Sequence, residues 1–170
     1  MSRGSQLSGR SDLDRLMEQY GSSLLRMCAL YLKDADLAQD AVQETFFKVF
    51  EKLSTLDTVI NKTAWITTIT VNICKNKLKR KYRSEISSSE LDLDSLPVLS
   101  ESLDEKLTVL EALHSLPLTL KEVVVLYYYQ ELTQREIAEI LKVSESTVAY
   151  RLKTARKLLK NYLKEDNDYE

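Results

Sequence analysis

The sequence predicts an all-α protein of two small helical domains joined by an acidic, flexible linker, and three observations carry that prediction. Gly4, Gly9 and Gly21 all fall within the first 21 residues, and the prolines are limited to Pro97 and Pro117. Leu, Lys, Glu and Ala abound, and all four favour helix. Apolar residues recur at helical spacing on both sides of Ser84 to Glu105, a stretch with seven acidic residues and no Lys or Arg. At 170 residues and 44% hydrophobic, the chain can bury one core or two modest ones.

The same composition narrows the function classes. Phosphate-cradling loops need glycine for close backbone approach, and 149 residues follow Gly21 without one. A P-loop or dinucleotide-binding fold is therefore disfavoured. Two cysteines, Cys28 and Cys74, with no C-x-x-C pair, suit a reduced cytoplasmic protein. No apolar run approaches the roughly 18 residues of a membrane span. The start, "MSRGSQLSGR", lacks the apolar region of a secretion signal and reads as a disordered tail over residues 1–10.

Taken in order, Leu13, Leu16, Met17, Leu24, Leu25, Cys28 and Leu32 mark a first helix opening a domain over 11–83. "KDAD" at Lys33 to Asp36 breaks it and offers acidic caps for a second helix, Leu37 to Leu53. "STLDTVINK" reads as a loop, and a third helix follows from Thr63 to about Lys81, with Trp65, Ile66, Ile69 and Ile73 on its apolar face. Residues 84–103 form the linker, able to span about 65 Å when extended. A second domain, 104–165, opens on a capping box, Ser102-x-x-Glu105, with one helix to about Leu116. The next helix starts near Pro117 and carries "EVVVLYYY", which should be mostly buried. Thr133-x-x-Glu136 is a second capping box, and Ser144 can cap a last helix reaching Leu163 before a tail at 166–170.

That last pair of helices carries the chemistry. Thr133 to Lys164 holds eight Lys/Arg against three Glu, in a chain whose net charge is -2. Val148, Leu152, Ala155 and Leu159 make one apolar stripe, so Ser146, Tyr150, Lys153 and Lys157 face the other way, flanked by Thr147, Ala149, Arg151 and Thr154. A short helix, a tight turn and a second helix with polar and basic outward residues is a helix-turn-helix pattern. Its first residues would reach base edges in a major groove and its later cations would meet phosphates. A solvated basic face on a helical hairpin is the plainer alternative.

Upstream, Val71 to Arg83 has six Lys/Arg and no acid, on a helix that also contains Trp65. Cations with a nearby aromatic suit a nucleic-acid backbone and an unstacked base, although cations at a helix end are also favoured by its dipole. On the second helix Asp36, Asp40 and Glu44 fall four residues apart, with Gln43 and Phe46, Phe47, Val49 and Phe50 nearby. A straight stripe spreads ligands instead of converging on one ion, and the single histidine, His114, is distant in sequence. A docking surface for a basic protein partner is the functional reading of this stripe, and a solvated face the alternative. Cys74 stands among lysines able to lower a thiol pKa.

In this order, "DADLAQDAVQETFFKVFEKL", "TAWITTITVNICKNKLKRKYR", an acidic linker and "LTQREIAEILKVSESTVAYRLKTARKLL" resemble the extracytoplasmic-function (group IV) sigma factors of the sigma-70 family, from about Leu13 to Leu163. The resemblance implies binding to bacterial core RNA polymerase through Asp36, Asp40, Gln43, Glu44 and Phe47. It implies that Thr58, Asn61 and Lys62, in the loop Thr55 to Lys62, capture a flipped base of the melted -10 element. Trp65, Asn72, Lys75, Lys79, Arg80 and Arg83 would hold that strand and its phosphates. Arg135, Ser144, Ser146, Thr147, Tyr150, Arg151, Lys153, Thr154 and Lys157 would face the duplex -35 element of promoter DNA. The linker's acidity fits a path through the positively charged RNA channel. An anti-sigma factor, often membrane-bound in the family, is implied as a partner, and no cofactor, metal or catalytic residue is. Ala149 and Tyr150 stand where many members carry Arg and a small polar residue. "ICKNKLKRK" follows Asn72 where a D-x-x-R arrangement is common.

A conventional helix-turn-helix regulator would explain the C-terminal half but leaves the upstream basic helix and the Asp40 element unused. A metal-dependent enzyme built on Asp36, Asp40 and Glu44 would explain neither basic face.

Overall fold

The computed structural model describes residues 3–87 and 103–167, and these are helical throughout apart from their turns. The helices are α1 (Arg3–Leu32), α2 (Ala35–Glu51), a 3-10 helix (Leu53–Thr58), α3 (Lys62–Ser87), α4 (Leu103–Ser115), α5 (Leu118–Tyr128), α6 (Gln134–Leu141) and α7 (Glu145–Asn167). The chain divides into two compact units, Met1–Ser95 and Leu96–Glu170.

The first unit is a three-helix bundle. Leu24, Met27, Cys28 and Tyr31 of α1 are buried with Ala38, Ala41, Phe46 and Val49 of α2 and Ile66, Val71, Ile73 and Cys74 of α3. Small residues on α2 let the neighbouring helices approach closely. The break between α1 and α2 is made without glycine. Lys33 takes a left-handed φ of 53°, and Asp34 caps α2 by accepting the Leu37 N–H at 2.9 Å. The two thiols meet inside the bundle, Sγ to Sγ at 3.6 Å. Both cysteines are buried, and contact with Cys74 and burial push the Cys28 thiol up, outweighing the opposing charge of Lys77.

In the second unit α4, α5 and α6 pack around the apolar stripe of α7, where Val148, Leu152 and Ala155 are fully buried. Thr133 and Glu136 form the expected capping box at α6. Lys142 closes that helix with a left-handed φ of 57°, and the turn to α7 follows at once.

Several expectations need correction. Helix α1 begins at Arg3, so the backbone of 3–10 is helical. The loop at 54–62 contains a 3-10 helix, because Leu56 is buried and the Thr55 and Thr58 hydroxyls donate to carbonyls three residues back. Helix α3 runs to Ser87, past the expected end near Lys81. In α5 the buried run stops at Leu126, and Tyr128 and Tyr129 are exposed. Leu159 is half-buried, unlike the rest of its stripe. The linker beyond Ser87, the Ser102 cap and residues 168–170 lie outside the described residues.

Gly21 sits within α1, and a Cβ there would meet nothing within 4 Å. Gly21→Ala should therefore stabilise the first unit by about 0.5–1 kcal/mol. Thermal unfolding of the full chain should show the corresponding transition shifted upward by a few degrees.

Candidate core-docking and nucleic-acid interface

Helix α2 supplies one face of the site. Asp36, Asp40, Gln43 and Phe47 follow at spacings of four, three and four, and all are exposed. Phe47 and its neighbour Phe50 are 62% and 47% exposed, so carboxylates and aromatic rings share an outward surface. Glu44 differs from the rest of the acidic stripe. Its carboxylate meets Lys48 at 3.3 Å and Lys77 of α3 at 3.4 Å. Burial opposes ionisation of Glu44, but these two lysines outweigh it and hold the carboxyl below the usual range. Among the described residues no group of three His, Cys, Asp or Glu is arranged to hold a metal ion.

Helix α3 sorts its basic run into two faces. Lys77 and Lys81, four apart, turn toward α2, where Lys81 meets Asp34 at 3.7 Å. Asn72, Lys79, Arg80 and Arg83 are exposed, with Lys75 and Trp65 half-buried. Positions 72, 79 and 83 fall on one side of a 3.6-residue helix, and 75 and 80 flank it. Ahead of this face, Asn61 caps α3 by accepting the Ala64 N–H at 3.0 Å, while Thr58 donates to the Thr55 carbonyl at 2.7 Å. Two residues expected to face a flipped base thus also brace the loop. Lys62 beside them is exposed.

The second unit presents Ser146, Tyr150, Lys153 and Lys157 on the outer face of α7, all exposed, with Thr154 half-buried between them. Ser144 accepts the Thr147 N–H at 3.1 Å, and its hydroxyl meets those of Ser146 at 2.9 Å and Thr147 at 2.7 Å. This hydroxyl cluster is the start of the outward helix. Thr154 donates to the Tyr150 carbonyl at 2.9 Å, and Arg135 meets Glu139 at 3.4 Å on the surface of α6.

Arg151 turns sideways. It meets Glu122 of α5 at 3.3 Å, with only 21% of its own side chain and 7% of Glu122's exposed. Glu122 was not singled out from the sequence, because nothing local marks a buried acid within "KEVVVL". Also missed was an apolar cleft of about 580 Å³ lined by Val109, Leu113, Val124, Tyr128, Leu159 and Leu163, among others. Arg156 borders it, donating to the Tyr128 hydroxyl at 2.9 Å and lying over the Tyr127 ring at 5.8 Å. The run of three tyrosines was the available signal. Lys77 and Lys81 could have been separated from 75, 79 and 83 by their helical phase alone.

An all-α pair of units, one with an acidic-aromatic face beside a cationic one and the other a helix-turn-helix, defines a class of transcription protein. Residues 16–84 match sigma-70 region 2, and residues 106–159 match sigma-70 region 4. The RNA polymerase sigma factor SigV of Bacillus subtilis (strain 168) is 31% identical over 145 residues, 83% of this chain and 85% of its own length. The ECF RNA polymerase sigma factor SigM of the same organism is 28% identical over 155 residues, 87% of this chain and 93% of its own. A longer relative, the probable RNA polymerase sigma factor RfaY of Xanthomonas campestris pv. campestris, is 26% identical over 140 residues; these are 77% of this chain but 35% of RfaY. Among solved structures, the sigma factor RpoE in complex with the anti-sigma factor NepR from Bartonella quintana has the same fold. Its TM-score is 0.80 at 21% identity, covering 90% of this chain and 97% of that one. The chain belongs to the extracytoplasmic-function sigma factors of the sigma-70 family.

Removing Arg151 would leave Glu122 buried beside no guanidinium. Arg151→Ala should destabilise the second unit by about 2 kcal/mol, whereas Lys157→Ala at the exposed face should change stability by less than about 0.5 kcal/mol. Urea unfolding of both variants compares the two directly.

Proposed function

We propose that this chain acts in the cytoplasm as an alternative sigma factor. It binds core RNA polymerase, recognises -10 and -35 promoter elements and starts transcription of a specific set of genes, without catalysing a reaction itself. The observation that carries the reading is the division of charge in the first unit. Carboxylates and Phe47 face outward on α2, while Asn72, Lys79, Arg80 and Arg83 face outward on α3.

In this reading Asp36, Asp40, Gln43 and Phe47 dock on the polymerase, and Glu44 both borders that surface and braces it through Lys77. Thr58, Asn61 and Lys62 receive the -10 element, with Trp65, Asn72, Lys75, Lys79, Arg80 and Arg83 along the melted strand. Cations neutralise the strand's phosphates while the half-buried Trp65 offers a stacking surface. Residues 11–83 therefore serve the polymerase and the -10 element, and 104–165 serve the -35 element. On α7, Ser144, Ser146, Thr147 and Tyr150 stand where base edges would be met, and Lys153, Thr154 and Lys157 where the backbone would be. Arg135 meets the backbone from α6, and Arg151 sets the pitch of α7 through Glu122. Residues 84–103 connect the two. No cofactor is required.

An anti-sigma factor is proposed as the controlling partner. RpoE, which shares the fold, was solved with the anti-sigma factor NepR. The net charge of -2 has a use as well, because strong binding to any duplex would hold a free sigma factor on nonspecific DNA.

Asp40→Ala and Phe47→Ala should each weaken binding to bacterial core polymerase by about tenfold, corresponding to about 1.4 kcal/mol. Lys79→Ala should leave that affinity within about twofold, since it changes only the DNA-facing helix. Fluorescence anisotropy of labelled protein titrated with core measures all three. Unchanged affinity for both α2 variants would remove α2 from the docking surface.

A further inference from the structure

The first turns of α7 lack the side chains best suited to reading purines. Glu145 to Tyr150 contains no Lys, Arg, Asn or Gln, and those are the residues that bond guanine at O6 and N7 or adenine at N6 and N7 in pairs. Val148 of this stretch is fully buried and Thr147 is half-buried, so Glu145, Ser146, Ala149 and Tyr150 form its outward face. Arg151 comes next, but it is drawn aside to the buried Glu122 at 3.3 Å, with only 21% of its side chain exposed. Exposed Lys142 precedes the stretch and exposed Lys153 follows it, one on each side.

The polar groups that remain are short of free donors. The hydroxyls of Ser146 and Thr147 both meet that of Ser144, at 2.9 and 2.7 Å. The Glu145 carboxylate only accepts, and guanine O6 and N7 are acceptors themselves. What stands clear is apolar. Tyr150 is 69% exposed, more than any other large apolar residue described in the second unit. Its ring projects next to the bare methyl of Ala149, and the two fall four and three residues after Ser146 on the face that continues to Lys153. A large side chain beside a small one leaves a shallow apolar recess. In the major groove only thymine offers an apolar group to fill it, the 5-methyl.

We propose that Ala149 and Tyr150 select thymine at one position of the -35 element by enclosing its 5-methyl group, in place of a purine held by paired hydrogen bonds. This rests on the sigma-factor reading above and adds to it the base that α7 favours and the two residues that choose it. Both side chains stand outside the core, so their substitution leaves the fold intact. Thermal unfolding curves of the full-chain variants, superimposable on the parent, check that point.

The test uses the full chain reconstituted with bacterial core polymerase and a duplex pool randomised at the -10 and -35 positions. Bound duplexes are recovered and sequenced, and a selected one is remade with deoxyuridine replacing each -35 thymine in turn, on either strand. Deoxyuridine pairs as thymine does and lacks only the methyl. One such exchange should weaken the parent complex about fourfold, the scale of one buried methyl group. Tyr150→Phe should keep that difference, because the ring and not the hydroxyl makes the contact, and Tyr150→Ala should bind both duplexes equally. Ala149→Arg should move the selected base at that position from thymine to guanine. A pool with no thymine selected in the -35 element, or deoxyuridine without effect on the parent, overturns the proposal. So does a methyl effect that survives Tyr150→Ala or vanishes in Tyr150→Phe, or a selected base unchanged by Ala149→Arg. Parent protein and core that together retain no duplex from the pool would instead overturn the sigma-factor reading beneath it.

Discussion

The rotation of α3 about its own axis, as it packs beside α2, is the constraint on which the functional surface depends. Lys77 meets Glu44 and Lys81 meets Asp34, and Asp34 also caps α2. Individually such part-exposed pairs contribute little stability. They mark the side of α3 on which Ile66, Ile73 and Cys74 are buried, and that burial fixes the rotation of the helix about its own axis. With that rotation set, Lys79 and Arg83 point away from the acids of α2. A helix turned by half a revolution would bring these cations onto the acids of α2 and put only Lys77 and Lys81 outward in their place. Glu44 thus belongs both to the acidic stripe of α2 and to the contact with α3.

The second unit solves the same problem with different parts. Helix α7 is held from inside by Val148, Leu152 and Ala155, from the side by Arg151 on Glu122, and at its start by the Ser144 hydroxyl cluster. Each restraint comes from a different neighbour. What is left over is an outward strip of small hydroxyls, one tyrosine and then lysines. Bases at the helix start and phosphates further along is the order in which a duplex presents itself to such a helix.

Much of this was legible in the sequence because the signals were periodic or local. The stripe of α7 and the Thr133 capping box needed only spacing, and both are present. The faces of α2 followed from residues three and four apart. What escaped was either nonlocal or contrary to composition. Glu122 is buried where Arg151, 29 positions later in the chain, reaches it. Glu44 belonged to an acidic stripe by pattern, yet its carboxylate is engaged by Lys77 from another helix. The loop at 54–62 was read from its polar residues, but the single Leu56 anchors it and the threonine hydroxyls complete a 3-10 helix. The tyrosines of α5 were assigned to the core by hydrophobicity, although phenol rings tolerate water and here line an open cleft.

The central claim is that two separated cationic faces act on DNA only when polymerase brings them to a promoter. The most direct test is fluorescence anisotropy of labelled duplexes with randomised -10 and -35 positions at physiological salt. The DNA is mixed with this protein alone, with core polymerase alone, and with both. The account predicts that a sequence-selected fraction of the pool forms a stable complex with both present, and none with the isolated protein. Tight binding of selected duplexes by the protein alone, unchanged by adding core, would contradict it and identify a conventional DNA-binding regulator.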